Sequence, residues 1–369
     1  MPKSRRSTQA LAHLRHMTSL DCSGPECIAP VLQELRHLIG FETSAYFHAA
    51  ADGTLDAHVA DDALLAPLSN HFGDPAVLRS EAELFDTVLQ QGCDIARHPR
   101  GPQTLAQMLR VPRASLLRSA YYDRVMCPGG VADWLALPLR APQGQAIGML
   151  FLFRAEGGRA FSRSDAAQLA RLEVNLARVL QPTDLLADDS EVLREALLIA
   201  APTGRPMWLS PEAESLLALA FGWRWRGAHG GALPQPLKLL AQRVRWPRPA
   251  QISAQLPAPQ AEIRNAHGWF MLRALPLAAA GQGGEEGEAV AIQITQRAAR
   301  GARLLAALRA LGLPQRQVEL AWWLARDLPE PRIAEHMGIS AHTVVYHRRE
   351  LYARLGVASR GDLLACLGV

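Results

Sequence analysis

The sequence predicts a multidomain chain: an α+β domain, a second α+β domain, and an all-α four-helix unit at the C-terminus. Three observations lead there. The 369 residues suit two or three domains at about 100–200 residues each. Strand-like and helix-like segments mix through two successive blocks, about 18–181 and 190–297, and only helical patterns follow. Positive charge collects at the helical end. From Gln296 onward there are 11 Arg, no Lys and 6 acidic residues, a net +5 against +4 for the whole chain, the distribution expected of a domain that meets a polyanion.

Apolar content of 49% with 20% charged residues describes an ordinary globular protein. No run approaches the roughly 18 apolar residues of a membrane span, and "MPKSRRSTQALAHLRHM" lacks the apolar core of a secretory signal. A cytoplasmic protein with no membrane partner is expected. Lys3 and Lys238 are the only lysines, a bias toward Arg that fits a GC-rich genome and is no evidence of bidentate recognition. Cys22, Cys27, Cys93, Cys127 and Cys366 are an odd number at irregular spacings. They fit neither a disulfide framework nor a zinc site, and buried reduced thiols are expected.

In the first block, "PECIAPVLQELRHLIG" has helical apolar spacing and a terminal Gly. Asp52-Gly53 breaks "ETSAYFHAAADGTLDAHV" into a hairpin. Short helices follow, then two strand-like runs around a Gly-containing turn in "VADWLALPLRAPQGQAIGMLFLFR". Ser162 with Asp165 forms a capping-box pattern opening one helix with Leu169, Leu172, Leu176 and Leu180 on its apolar stripe. In the second block, "EALLIAAPTGRPMWLS" is strand–turn–strand around Thr203-Gly204, and "PEAESLLALAF" starts a helix with Pro in its first turn. "AEIRNAHGWFMLRALPL" and "EAVAIQITQ" are strands separated by the solvated loop "AAAGQGGEEGE". Residues 298–311 form a connecting helix with Leu304, Leu305, Leu308 and Leu311 on one side.

The last block, 312–369, carries the most specific pattern. Val318, Ala321, Trp322, Leu324 and Ala325 are spaced for one buried helix face, and Trp322-Trp323 belong to core and interdomain packing. Pro331 opens a short helix that Gly338 stops; Ser340 is the N-cap of the next. On that helix Val344, Leu351 and Leu355 face inward, with His347 between them. Val345, Tyr346 and Arg349 face outward, with His342 and Arg348 at the edges. A short helix, a Gly turn and a longer basic helix make a helix-turn-helix, whose second helix enters the major groove.

Over about 55 residues this block resembles the LuxR-type (GerE-like) DNA-binding domain. The matching residues are Leu313, Arg316 and Glu319; Ile333, Ala334, Met337, Gly338, Ile339 and Ser340; Thr343, Val344 and His347; then Leu351, Arg354, Leu355, Gly356 and Val357, with Ser359-Arg360. Departures are Leu320 for a usual Val, Val345 for a usual Lys, and Asp327 where Gly is common. The resemblance implies binding of double-stranded DNA by a homodimer on inverted repeats. The fourth helix, Ser359–Leu367, would then pair through Leu363 and Leu364, and RNA polymerase is a candidate partner. Arg316, Arg348 and Arg354 would hold phosphates, Ser340, His342, Thr343 and His347 would lie at the DNA, and Arg349, Tyr346 and Val345 would approach bases. Val345 can meet a thymine methyl but donates no hydrogen bond.

"SAYYDRVMCPGGVADWLALPLRAPQGQAIGMLFLFRAEGGRAFSRSDAAQLARL" resembles a GAF domain, a small-molecule sensing fold. "TGRPMWLSPEAESLL" with the closing strands resembles a PAS domain more loosely. An effector in either is implied, its identity open; no cofactor is evident. No Gly-x-Ser-x-Gly, His-Glu-x-x-His, Walker loop or Cys-x-x-Cys occurs, and His16, His37, His98 and Cys127 are scattered, so no enzyme is expected. The expected function is a DNA-binding regulator governed by its N-terminal domains. The rivals are a sensing or interaction module whose helix-turn-helix no longer reads DNA, for which Val345 speaks, and a quorum-signal receptor. Only "HFGDP", His71–Pro75, echoes the aromatic–Asp-Pro pattern of the latter's pockets.

Overall fold

The computed structural model describes residues 14, 17, 23–50, 53–182, 190–226, 232–244, 258–277 and 289–368. The loop predicted at 278–288, Asp52, His16 and Cys22 lie outside them. After α1 (Ile28–Ile39), strands β1 (Thr43–Ala49) and β2 (Leu55–Val59) form the hairpin. Gly53 supplies its turn at φ 81°, a conformation that residues with a Cβ rarely adopt. Then come α2 (Leu65–Gly73), α3 (Pro75–Leu84), β3 (Gln103–Thr104), α4 (Leu105–Met108) and α5 (Arg113–Leu116). Strands β4 (Asp133–Arg140) and β5 (Ala146–Arg154) complete an antiparallel sheet of order β2-β1-β5-β4-β3.

The Ser162–Asp165 capping box is present, but the helix it opens is two helices. α6 (Arg163–Ala170) and α7 (Glu173–Leu180) meet at a tight turn where the Leu172 N–H reaches Leu169 O at 3.0 Å. The turn keeps Leu169, Leu172, Leu176 and Leu180 all buried, so packing overrides the continuous helical pattern. Arg154 ties this end of the domain together. Its guanidinium donates to the carbonyls of Ile39 and Gly40 past the end of α1 and to those of Arg159 and Ala160, and stands 3.4 Å from Asp165. Burial works to raise the Asp165 pKa, but the Ser162 hydrogen bonds and the Arg154 and Arg159 charges outweigh it and hold the carboxyl below its usual range.

The second sheet comprises β6 (Ser190–Ala200), β7 (Pro206–Leu209), β8 (Gln260–Asn265), β9 (Gly268–Leu277) and β10 (Ala289–Ala299), in the order β7-β6-β10-β9-β8. Helices α8 (Pro211–Phe221), α9 (Trp223–Arg226) and α10 (Gln235–Gln242) accompany it. "AEIRNAHGWFMLRALPL" divides into β8 and β9, a hairpin turning at Ala266-His267. The two α+β units touch along a seam. Trp223 stacks on Phe72 with ring centroids 5.0 Å apart, Arg224 donates to Thr54 Oγ1 at 2.8 Å and to the Leu55 carbonyl, and His58 meets His267 edge-on at 5.9 Å.

Helix α11 (Arg300–Ala310) runs directly from β10, burying Leu304, Leu305 and Leu308, while Leu311 is half-buried. The last unit consists of α12 (Gln315–Ala325), α13 (Glu330–Met337), α14 (Ala341–Leu355) and α15 (Arg360–Leu367). Helix α12 is buried on more than one face: Gln317, Leu320 and Trp323 are covered as well as Val318, Ala321, Trp322 and Leu324, and Ala325 is half-buried. It is the central helix, packed by α11, α13, α14 and α15. Among the four described cysteines only Cys27 is buried; Cys93, Cys127 and Cys366 are exposed, which corrects the expectation of buried thiols.

Candidate nucleic-acid interface and effector cavity

Gly338 ends α13 in the left-handed region at φ 62°, with the Ile339 N–H on Ala334 O at 3.0 Å, a closed C-cap. Ser340 then caps α14: its Oγ accepts the Thr343 N–H at 3.1 Å and lies 2.7 Å from Thr343 Oγ1. These two caps, two residues apart, set the angle between the helices. Val344 and Leu351 are wholly buried and anchor α14, with Leu355 half-buried behind them. Gly356, at φ 68°, stops it.

The opposite face is open. His342, Tyr346 and Arg349 are exposed at i, i+4 and i+7, one stripe along the helix, with half-buried Val345 beside it. Tyr346 is 62% exposed, a large amphipathic ring that nothing in the domain covers. Arg316 and Arg354 are also exposed. Besides Ser340 and Thr343, Arg348 and His347 have partners within the domain. Arg348 is half-buried and ion-paired to Glu330 of α13, so its charge is used to brace the two helices. His347 is half-buried, its Nδ1 3.4 Å from Glu350 Oε2.

Leu363 corrects the expectation that it faces a partner. It is fully buried with Leu367, the i, i+4 neighbour that turns to the core. The outer side of α15 is half-buried Leu364 with exposed Gly361, Ala365 and Cys366. Asp327 has φ 63°, alone among the described non-glycine residues in the left-handed region, where Asp is among the tolerated residues. Its carboxylate pairs with Arg360, which also donates to Ala325 O at 3.3 Å, joining the end of α12 to the start of α15. The ion pairs of Glu330 and Asp327 were not legible in the sequence, because their partners lie 18 and 33 residues away.

A second feature lies against the first sheet. Beneath α2 and α3, a cavity has about 80 Å³ open to the centre of a water molecule, several times the roughly 10–15 Å³ that one water needs. Phe47, Phe85, Trp134, Phe151 and Phe153 make it aromatic, and His71, Glu81, Thr87, His98 and Tyr121 bring polar groups. Glu81 is held by the Leu89 N–H at 3.3 Å and by the Gln90 side-chain amide, with His71 Nε2 3.7 Å away. His98 is buried, its Nδ1 2.8 Å from Thr87 Oγ1. Burial lowers its pKa, so the ring is neutral near pH 7. Burial and the nearby Glu81 charge raise that of Tyr121. "HFGDP" thus finds its explanation: His71 lines the cavity, Phe72 carries the seam contact to Trp223, and Asp74 caps α3 through the Ala76 N–H at 2.8 Å. No described group of His, Cys, Asp and Glu is arranged to hold a metal ion, and no described helix is long and apolar enough to cross a membrane.

A four-helix unit whose third helix is capped, basic and outward-facing defines a DNA-binding helix-turn-helix. Comparison with known families agrees: residues 312–367 match "Bacterial regulatory proteins, luxR family" (GerE), and residues 25–179 match the GAF domain. The chain therefore joins an N-terminal GAF domain to a C-terminal LuxR-type helix-turn-helix, the non-enzymatic architecture of a signal-modulated transcriptional regulator. No curated protein matches it. Among solved structures, the sensor region of a sensor histidine kinase is 17% identical over 44% of this chain and 63% of that one, with a TM-score of 0.17. The chain thus spans less than two thirds of that structure, and a score so low carries no argument about fold.

Proposed function

We propose that the protein regulates transcription by binding double-stranded DNA through α14, under control of a small-molecule effector held in the GAF cavity. The open stripe His342–Tyr346–Arg349 on a doubly capped helix, in a tail of net +5, supports this reading most directly. Arg349 would reach a base edge; Arg316 and Arg354 would meet phosphates. Tyr346 and Val345 would give apolar contact, to thymine methyls among others. Ser340, His342, Thr343 and His347 would lie along the backbone, with the Ser340 hydroxyl already committed to its cap. Arg348 would contact phosphate only on leaving Glu330, so bracing α13 is its better-supported role.

The domain bounds that go with this reading are 18–181, 190–297, 298–311 and 312–369. The second sheet has the same strand order as the GAF sheet, which supports a PAS-like sensor fold for 190–297. Homodimerisation on DNA would use the Leu364 side of α15. The test is to select duplexes from a random pool with the full chain and measure salt dependence. Affinity should fall steeply as salt rises. Arg349→Ala should relax base choice at one position at a cost of about 1–3 kcal/mol. Equal loss on every sequence would make Arg349 a phosphate contact. No binding even at low salt would favour a module that does not read DNA.

A further inference from the structure

The cavity wall narrows the chemistry of the effector, an inference that rests on the sensing role given above. No Lys or Arg lines the cavity, so nothing there would neutralise a phosphate or carboxylate, and a buried unpaired charge is strongly disfavoured. Its one carboxylate, Glu81, accepts from the Leu89 N–H and the Gln90 amide, with His71 Nε2 3.7 Å away. The sheet side offers Phe47, Trp134 and Phe151, flat apolar surfaces that suit a ring. The Trp134 N–H is spent within the wall on Met108 Sδ at 3.2 Å.

Among the side chains of the wall, one fully buried polar atom is left without a partner. His98 lines the cavity and is 3% exposed, and its Nε2 is fully buried and without a hydrogen-bond partner. Buried polar atoms are nearly always paired, and the Thr87 hydroxyl holds the opposite ring nitrogen, which fixes the imidazole's orientation. We propose that the cavity binds an uncharged compound of about one aromatic ring, with a single hydrogen-bonding atom that meets His98 Nε2. His98 is then the specificity-determining residue: the aromatic walls accept any small ring, and the imidazole selects those with a polar atom at the right edge.

The experiment titrates the full chain calorimetrically with phenol, toluene, benzylammonium and benzoate. Phenol and toluene bind once per chain, phenol more tightly, and both charged rings bind more weakly than phenol. His98→Phe, which keeps a ring and removes Nε2, lowers phenol affinity about tenfold and leaves toluene within about twofold. Should His98→Phe fail to fold, His98→Gln serves, with the phenol-to-toluene ratio moving from the native value as the readout. Tighter binding of either charged ring than of phenol, an unchanged ratio in the folded variant, or no binding by any probe overturns the proposal. Duplex affinity separates the two readings. Phenol bound without effect on DNA supports the ligand class and removes the effector role; benzylammonium binding more tightly and shifting DNA affinity keeps the effector role and overturns the class.

Discussion

The two five-stranded sheets share one strand order but differ in what covers them. Strand β4 of the first is buried along nearly its whole length, and neighbouring residues of β1, Tyr46 and Phe47, are buried on opposite faces. Helices α1, α6 and α7 cover one face; the cavity and its helices cover the other. Among the described residues, the core cluster of the second sheet lies on one side, around Leu198, Phe270 and Ile292. On its other side Leu197 is 50% and Trp208 61% exposed. One topology thus gives a covered, ligand-sized chamber in one case and, among the described residues, an uncovered face in the other. Two-sided burial is what permits a cavity under the helices of one face, and it is also what makes the strands "DWLALPLR" and "AIGMLFLFR" continuous apolar runs.

If that contrast is right, the largest effects belong to the first sheet. Arg154→Ala should lower stability by about 3–5 kcal/mol, because Asp165 and four carbonyls lose a buried cation. Arg297, at the corresponding end of β10, bonds Ser190 Oγ at 2.9 Å from a half-buried position, and its loss should cost about 1 kcal/mol. Chemical denaturation of both variants would expose a failure of the contrast as equal losses. Leu150→Ala, at a fully buried position of β5, should cost about 2–5 kcal/mol by the same measurement.

The seam between the sheets should respond to acid. His58 has its pKa pushed down to about 4 by burial, by His267 and by His48. Between its free value of 6.5 and about 4, the unfolded chain binds the proton more readily. Stability present above pH 6.5 is therefore lost as pH falls toward 4, by up to roughly 3 kcal/mol. His58→Gln should flatten that part of the melting-temperature profile, and an unchanged slope would show that the seam is not its source. The smallest effect is expected on the open face: Leu197→Ser should stay within about 0.5 kcal/mol of the wild type. A larger loss would mean that something covers this face in solution.

What was legible in the sequence was local. Ser162–Asp165, Ser340 and Gly338 sit within four residues of the groups they cap, and Gly53 within its own turn, so spacing alone exposed them. The outward Tyr346 and Arg349 followed from the inward Val344 and Leu351 by helical period. What was hidden depends on distant partners. The cavity joins His71, Glu81, His98 and Trp134, brought together by the sheet and two helices. The Arg348–Glu330 pair required knowing how α13 lies on α14. Leu363 and Leu364 are adjacent leucines, and only the packing of α15 on α12 decides which turns inward.

The central claim, that the chamber in the first sheet governs the helix that meets DNA, is tested most directly by filling the chamber without a ligand. Ala45 is 2% exposed in its wall, and Ala45→Leu adds bulk toward the space an effector would take. The measurement is the equilibrium affinity of the full chain for its selected duplex, wild type against Ala45→Leu, with folding checked by circular dichroism. A coupling of about 1–3 kcal/mol predicts a change of roughly 5–150-fold. Identical affinity in two folded proteins would contradict the account.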